Sequence, residues 1–181
     1  MPLRFKVCRM RNHQGFTLIE LMVTIAVAAI VMAIALPSMQ VMQANSRMLS
    51  VANDLASDLK KARTMAIVAR RNHTFSALDS SATTNIWGNK GWQVTQMIDG
   101  KSEPVFANKT VPQGVIVNTT LSSIVFSAAT GMVQKSDGNT VSVDFRVCDA
   151  KSSKETGFDV SINGFGRVLV QKHANITVCN T

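Results

Sequence analysis

The 181-residue chain lacks most of what catalysis and metal binding require. No CxxC occurs, and the three histidines stand apart at 13, 73 and 173, so no zinc-ligand spacing forms. His73 and His173 fall into no recognisable triad spacing with the many Ser and Asp residues. A phosphate-cradling glycine loop is missing, and no carboxylate pair stands out. These gaps point to assembly or recognition rather than catalysis, with no cofactor and no metal. Both His73 and His173 are expected at the surface. Internal repeats and low-complexity stretches are missing as well, and the length suits one moderate domain plus an appendage.

Acidic residues are scarce, 11 against 19 basic, for a formal net charge of +8. Arg4, Lys6, Arg9 and Arg11 all precede Gly15, and without them 15 basic residues face 11 acidic ones, a net of +4. That remainder is mildly basic and argues only weakly for a nucleic-acid partner. Cysteine is limited to Cys8 in the basic leader and to Cys148 and Cys179. If Cys8 is lost with the leader, an even pair remains, which suits a disulfide in an oxidising periplasm; two buried free thiols are the alternative. A Cys148–Cys179 bond would stabilise by about 3–4 kcal/mol in the chain-entropy model.

Against these absences stands one long apolar run. From Phe16 to Leu36 the chain has 21 residues and one ionisable side chain, Glu20. At 1.5 Å per residue the run spans roughly 31 Å, enough for a hydrocarbon core. Basic residues on its N-terminal side hold that end in the cytoplasm and leave residues 38–181 outside. A secretory signal would be cut after the apolar run, yet "IALPSMQ" offers Pro37 and no clean small-x-small site. Cys8 precedes the run, which excludes a lipoprotein.

A carboxylate in a membrane helix costs roughly 2.5–3.5 kcal/mol near the centre and less near an end. A cut between Gly15 and Phe16 would supply a partner. The new amine at Phe16 lies four residues from Glu20, so the two could pair within one helix, or Glu20 could meet a neighbour's amine in a bundle. Glu20 is then an assembly contact.

"GFTLIELMVTIAVAAIVMAIALP" resembles the class III signal of type IV pilins and type II secretion pseudopilins, in the basic leader, Gly15, Phe16, Glu20, the apolar stretch and Pro37. The resemblance implies cleavage after Gly15 by a prepilin peptidase, N-methylation of Phe16 and subunit docking through Glu20. It also implies a helix kinked at Pro37, as proline inside a helix does on physical grounds. A membrane anchor that is never cleaved is the alternative.

Residues 38–71 contain no Gly or Pro. Met48, Ala52, Leu55, Leu59, Ala62, Ala66 and Ala69 recur at alternating spacings of four and three, one apolar stripe on a helix. Arg47, Asp54, Asp58 and Lys61 fall off it. The stripe would pack on the following domain or form a coiled-coil seam. Lys60, Lys61, Arg63, Arg70 and Arg71 gather towards the end, as a solvated, cation-favouring helix terminus. The two segments together predict a helix of about 55 residues.

From residue 73 the period becomes two. Strands are predicted at 73–78, 91–98, 114–120, 122–128, 140–148, 157–163 and 166–173. Turns are marked by Gly131, Asp137-Gly138 and Asn163-Gly164. Trp87 and Trp92 are expected as core or edge aromatics. The fold class is α+β: a long N-terminal transmembrane and amphipathic helix, then an antiparallel β-sandwich-like head of six to eight strands. The boundaries are a leader at 1–15, a transmembrane half-helix at 16–36, a periplasmic half-helix at 37–71 and the head at 72–181.

"NDLASDLKKARTMAIVARRNHTFSAL", "GNKGWQV", "FSAATGMV" and "GFGRVLV" are similar to the FimT/GspH group of minor pilins and pseudopilins. The resemblance implies the pilin fold, an inner-membrane, single-pass subunit with a periplasmic head, and other pilin or pseudopilin subunits as partners. FimT-like members are associated with DNA uptake for natural transformation through a basic C-terminal hairpin with a Gly-Arg-x-Arg pattern. Here that stretch is Gly166-Arg167-Val168-Leu169, with Leu169 at the second basic position. Arg167, with Lys172, Lys151 and Lys154, are the candidate contacts to double-stranded DNA. The competing machine is the type II secretion pseudopilus, with an H-type subunit acting in protein export.

Overall fold

The computed structural model describes residues 15–78, 87, 90–108, 111–149 and 157–173. Two compact units divide the chain, Met1–Met39 and Gln40–Thr181. The second half of the long helix therefore belongs with the head.

Helix α1 runs from Leu18 to Ala69, 52 residues, with Pro37 inside it. Thr17 caps its start: the Thr17 hydroxyl accepts the Glu20 backbone N–H at 3.3 Å. Continuous helix formers and the absence of glycine between Leu18 and Ala69 carry it onward. It ends where Arg70 turns to φ 50° and Arg71 N–H donates back to Ala66 O at 3.2 Å. Pro37 sits within the helix without ending it, because its missing N–H removes one bond from a ladder that is otherwise complete.

The expected stripe forms and is wider than its spacing suggested. Ala44, Met48, Val51, Ala52, Leu55, Ala56, Leu59, Ala62 and Ala66 are buried. Ala69 is exposed, one turn past the last contact. The stripe packs on the head, in one core with strand residues, which answers the coiled-coil alternative within the chain.

Among the described residues nine strands follow: β1 His73–Ala77, β2 Trp92–Ile98, β3 Lys101–Asn108, β4 Val115–Thr119, β5 Ser123–Phe126, β6 Val133–Gln134, β7 Val143–Asp149, β8 Phe158–Ile162 and β9 Val168–Lys172. They form two antiparallel sheets, ordered β3-β2-β1-β5-β6 and β4-β7-β8-β9. Phe75, Val94, Ile124, Phe126 and Val133 of the first sheet meet Val117, Phe145, Val147, Val160 and Ile162 of the second and Leu55 and Leu59 of α1 in that core. Each fully buried leucine or phenylalanine contributes about 1.5–3 kcal/mol.

Trp87 and Trp92 lie in this core, as expected. Trp87 stacks on Phe75 with centroids 5.5 Å apart and meets Phe145 edge-on at 5.0 Å. Each indole N–H has a partner: Trp87 donates to Leu121 O and Trp92 to the Asp58 carboxylate, both at 2.8 Å. Asp58 is thus more than a solvent-facing residue off the stripe.

Strands β3 and β6 were not foreseen. β3 carries Pro104 on the sheet edge, where a missing N–H is tolerated. Its register with β2 jumps from Val94↔Phe106 to Thr95↔Pro104, leaving Val105 as a bulge.

Candidate functional site

The processing segment opens the described chain. Gly15, Phe16 and Thr17 precede the helix, and Phe16 is 82% exposed, so the Gly15–Phe16 bond is open to a peptidase. No Cβ at Gly15 would meet anything within 4 Å. Glu20 stands in the first helical turn and is exposed. The helix begins at Leu18, so Phe16 stands just outside its first turn. Thr17 as helix cap escaped the sequence reading; Thr17 three residues before Glu20 was the signal that could have found it.

The second candidate region is the β8–β9 turn. Asn163 organises it: its side-chain oxygen accepts Arg167 N–H at 2.8 Å, and its carbonyl accepts Gly166 N–H at 2.8 Å. Phe165 is 70% exposed, and Arg167 is exposed beside it. Arg63 of α1 packs against Gly166 of this turn and donates its Nε to Gly131 O, in the neighbouring β5–β6 turn, at 3.0 Å. A Cβ on Gly131 would stand 2.6 Å from Ile67, and one on Gly166 would run into the Arg63 guanidine. Both glycines also hold φ near +65° and +80°, so two features exclude side chains there. Arg63 is therefore a structural clamp, and Lys61 is also engaged, 4.3 Å over the Phe106 ring. The picture of a simply solvated basic helix end is corrected for these two residues.

The candidate DNA residues do not form one group. Val168 pairs with Ile162 and Lys172 with Phe158, so Arg167 and Lys172 lie at opposite ends of β9, roughly 16 Å apart along a strand. Lys151 and Lys154 lie outside the described residues. Linear proximity of Arg167 and Lys172 misled because an extended strand separates what a helix would gather.

Both histidines depart from expectation. His73 is 1% exposed on the helix-facing side of β1, with Nδ1 2.8 Å from Arg71 O. The chain turns back under the helix end at residue 72 and carries it inside. His173 is half-buried, its Nδ1 2.6 Å from Asp159, which also accepts Arg146 Nε at 3.0 Å. Each ring has a polar partner at Nδ1, while the buried His173 Nε2 has none. The Asn139 backbone N–H, 2.9 Å from the Asp137 carboxylate, holds that carboxyl below its usual range.

Cys148 is fully buried and disulfide-bonded in the structure. It alternates out of step with Val147 and Phe145, so it faces away from the core that they fill. Cys179 lies outside the described residues. Among the described residues no group of three metal-ligating side chains occurs.

With the long helix, the two sheets and the processing segment described, comparison becomes informative. Residues 10–36 match the prokaryotic N-terminal methylation motif, and residues 51–166 match the model described as type II transport protein GspH. The chain belongs to the GspH family. No curated protein matches it. Among solved structures, the type IV minor pilin FimU of Pseudomonas aeruginosa is similar, with 19% identity and a TM-score of 0.58 over 72% of this chain and 96% of that one. The minor pseudopilin EpsH of the Vibrio cholerae type 2 secretion system gives 11% identity and a TM-score of 0.52, covering 70% and 97%. The fold of this GspH-family chain is thus the α+β pilin fold. Its family is one of minor pilins and pseudopilins, which are filament subunits, and its methylation motif implies prepilin peptidase processing and membrane anchoring.

Proposed function

We propose that the chain is a minor subunit of a type IV pilus. It is inserted in the inner membrane with the head in the periplasm, cut after Gly15, methylated on Phe16 and packed through Glu20. The observation that carries this is the pairing of an N-terminal methylation motif with a 52-residue helix whose first half is apolar and wholly exposed. Such a surface needs lipid or other apolar helices around it. The test is mass analysis of the N-terminus together with immunodetection in sheared filaments, for the wild type and Glu20→Ala. Methylated Phe16 in filaments, lost from filaments but still processed in Glu20→Ala, is the expected result. A chain retaining residues 1–15 in the membrane would overturn it. The secretion pseudopilus shares this N-terminal physics and is separated by which filament holds the chain.

The same reading includes a bond between Cys148 and Cys179, since Cys8 leaves with the leader. It also includes duplex DNA as a partner of the head. Support for DNA is the exposed Arg167 on a rigidly held turn beside exposed Phe165. Phosphate binding by so few cations would weaken steeply with salt. Titration of the mature chain with duplex DNA at low and moderate salt, beside Arg167→Gln, decides it. Binding that depends on Arg167 supports uptake; none at low salt removes DNA and favours the secretion machine.

A further inference from the structure

An open apolar groove of about 370 Å³ lies between the end of α1 and the first sheet. Thr64, Met65, Val68 and Ala69 form its helical wall, and His73, Gln96 and Val105 its sheet wall. Two irregularities build it. The β3 bulge leaves Val105 without a cross-strand partner, so the strand bends where that side chain enters the wall. Arg70 holds φ 50°, a conformation that glycine would adopt without cost, and so turns the chain sharply from the helical wall into β1. Val68 is 77% exposed at the rim, and of its helix turn only Ala66 is buried.

The charge around this groove is lopsided. Lys61, Arg70 and Arg71 are exposed along and just past the helical wall, while on β3 Glu103 is the acidic residue opposite. Asp99 and Lys101 offset one another at the far β2–β3 turn. An occupant must therefore bring apolar side chains into the groove and carboxylates towards the helix end.

We propose that this groove receives an acidic segment with apolar anchors from a neighbouring, different subunit of the filament, with Val68, Met65 and Val105 gripping the anchors and Arg70 and Arg71 reading the carboxylates. A second copy of this chain suits the groove poorly, because its own net charge is positive. This inference rests on the filament reading above and adds the lateral contact that Glu20 does not supply.

The test uses the full chain in its native cells. Val68→Glu and the pair Arg70→Glu with Arg71→Glu alter exposed positions. Both variants are expected to be processed and to melt as the wild type does, while their amount in sheared filaments falls by about tenfold. A photo-crosslinking residue at position 68 is expected to join another subunit within a few residues of Asp or Glu, and the charge reversal should abolish that adduct. Full incorporation of both variants overturns the groove while leaving the Glu20→Ala result intact. An adduct on a second copy, a lipid, DNA or a segment without carboxylates overturns it equally. Absence of the wild-type chain from every filament overturns both readings.

Discussion

From Leu18 to Met39 every residue of α1 is exposed, whereas from Ala44 to Ala66 nine residues are buried along one side. One unbroken helix thus meets two environments. The first half is apolar on all faces, so no face is reserved for its own head. The second half alternates Leu and Ala at helical spacing against polar residues, and only its stripe is covered. Small Ala side chains at 44, 52, 56, 62 and 66 let strands approach, while Met48, Leu55 and Leu59 fill what remains. The side of α1 that stabilises the head therefore lies in the second half, and the exposed apolar surface in the first.

That contrast is open to direct challenge. The largest effect is expected from Leu59→Ala, which should cost the head about 2–5 kcal/mol through a cavity, whereas Leu21→Ala should leave the melting temperature of the head unchanged. Equal effects in thermal unfolding of the detergent-solubilised chain would erase the division. Cys148→Ser is expected to cost about 2–5 kcal/mol. Mass mapping of the non-reduced protein checks the bond, and a Cys148 linked elsewhere than Cys179 would redraw the C-terminal region. Gly166→Ala should cost about 1–3 kcal/mol from overpacking against Arg63 and from its positive φ. Combined with Arg63→Ala the two costs should be less than additive, and strict additivity would show that the clamp is not a coupled unit. Asp58→Asn is the mildest, at about 1 kcal/mol, since the Trp92 indole keeps an acceptor but loses a charged one.

The readable parts of the fold were those governed by a period. The stripe from Met48 to Ala66 and the alternation of Val143, Phe145 and Val147 follow from helix and strand geometry alone. Seven strands were legible for this reason, although β7 starts at Val143, three residues later than expected. β3 was hidden because Lys101, Ser102, Glu103 and Pro104 form an exposed edge with no apolar alternation. β6 is two residues long, too short to carry a period. The N-terminal methylation motif was legible because its residues are contiguous. The Arg63 clamp was not, since it joins positions 63, 131 and 166 through topology. The Asp58–Trp92 bond and the apolar groove likewise exist only once α1 lies on the first sheet.

The clamp also matters for mechanics. A filament subunit held by its helix and pulled through its head must pass traction on the β8–β9 turn to the rest of the molecule. Arg63 of α1 packs against Gly166 of that turn and hydrogen-bonds Gly131 O of the β5–β6 turn, so the two turns share one anchor on the helix. Force applied at Phe165 or Arg167 thus meets the packed second half of α1 close to where it enters the head.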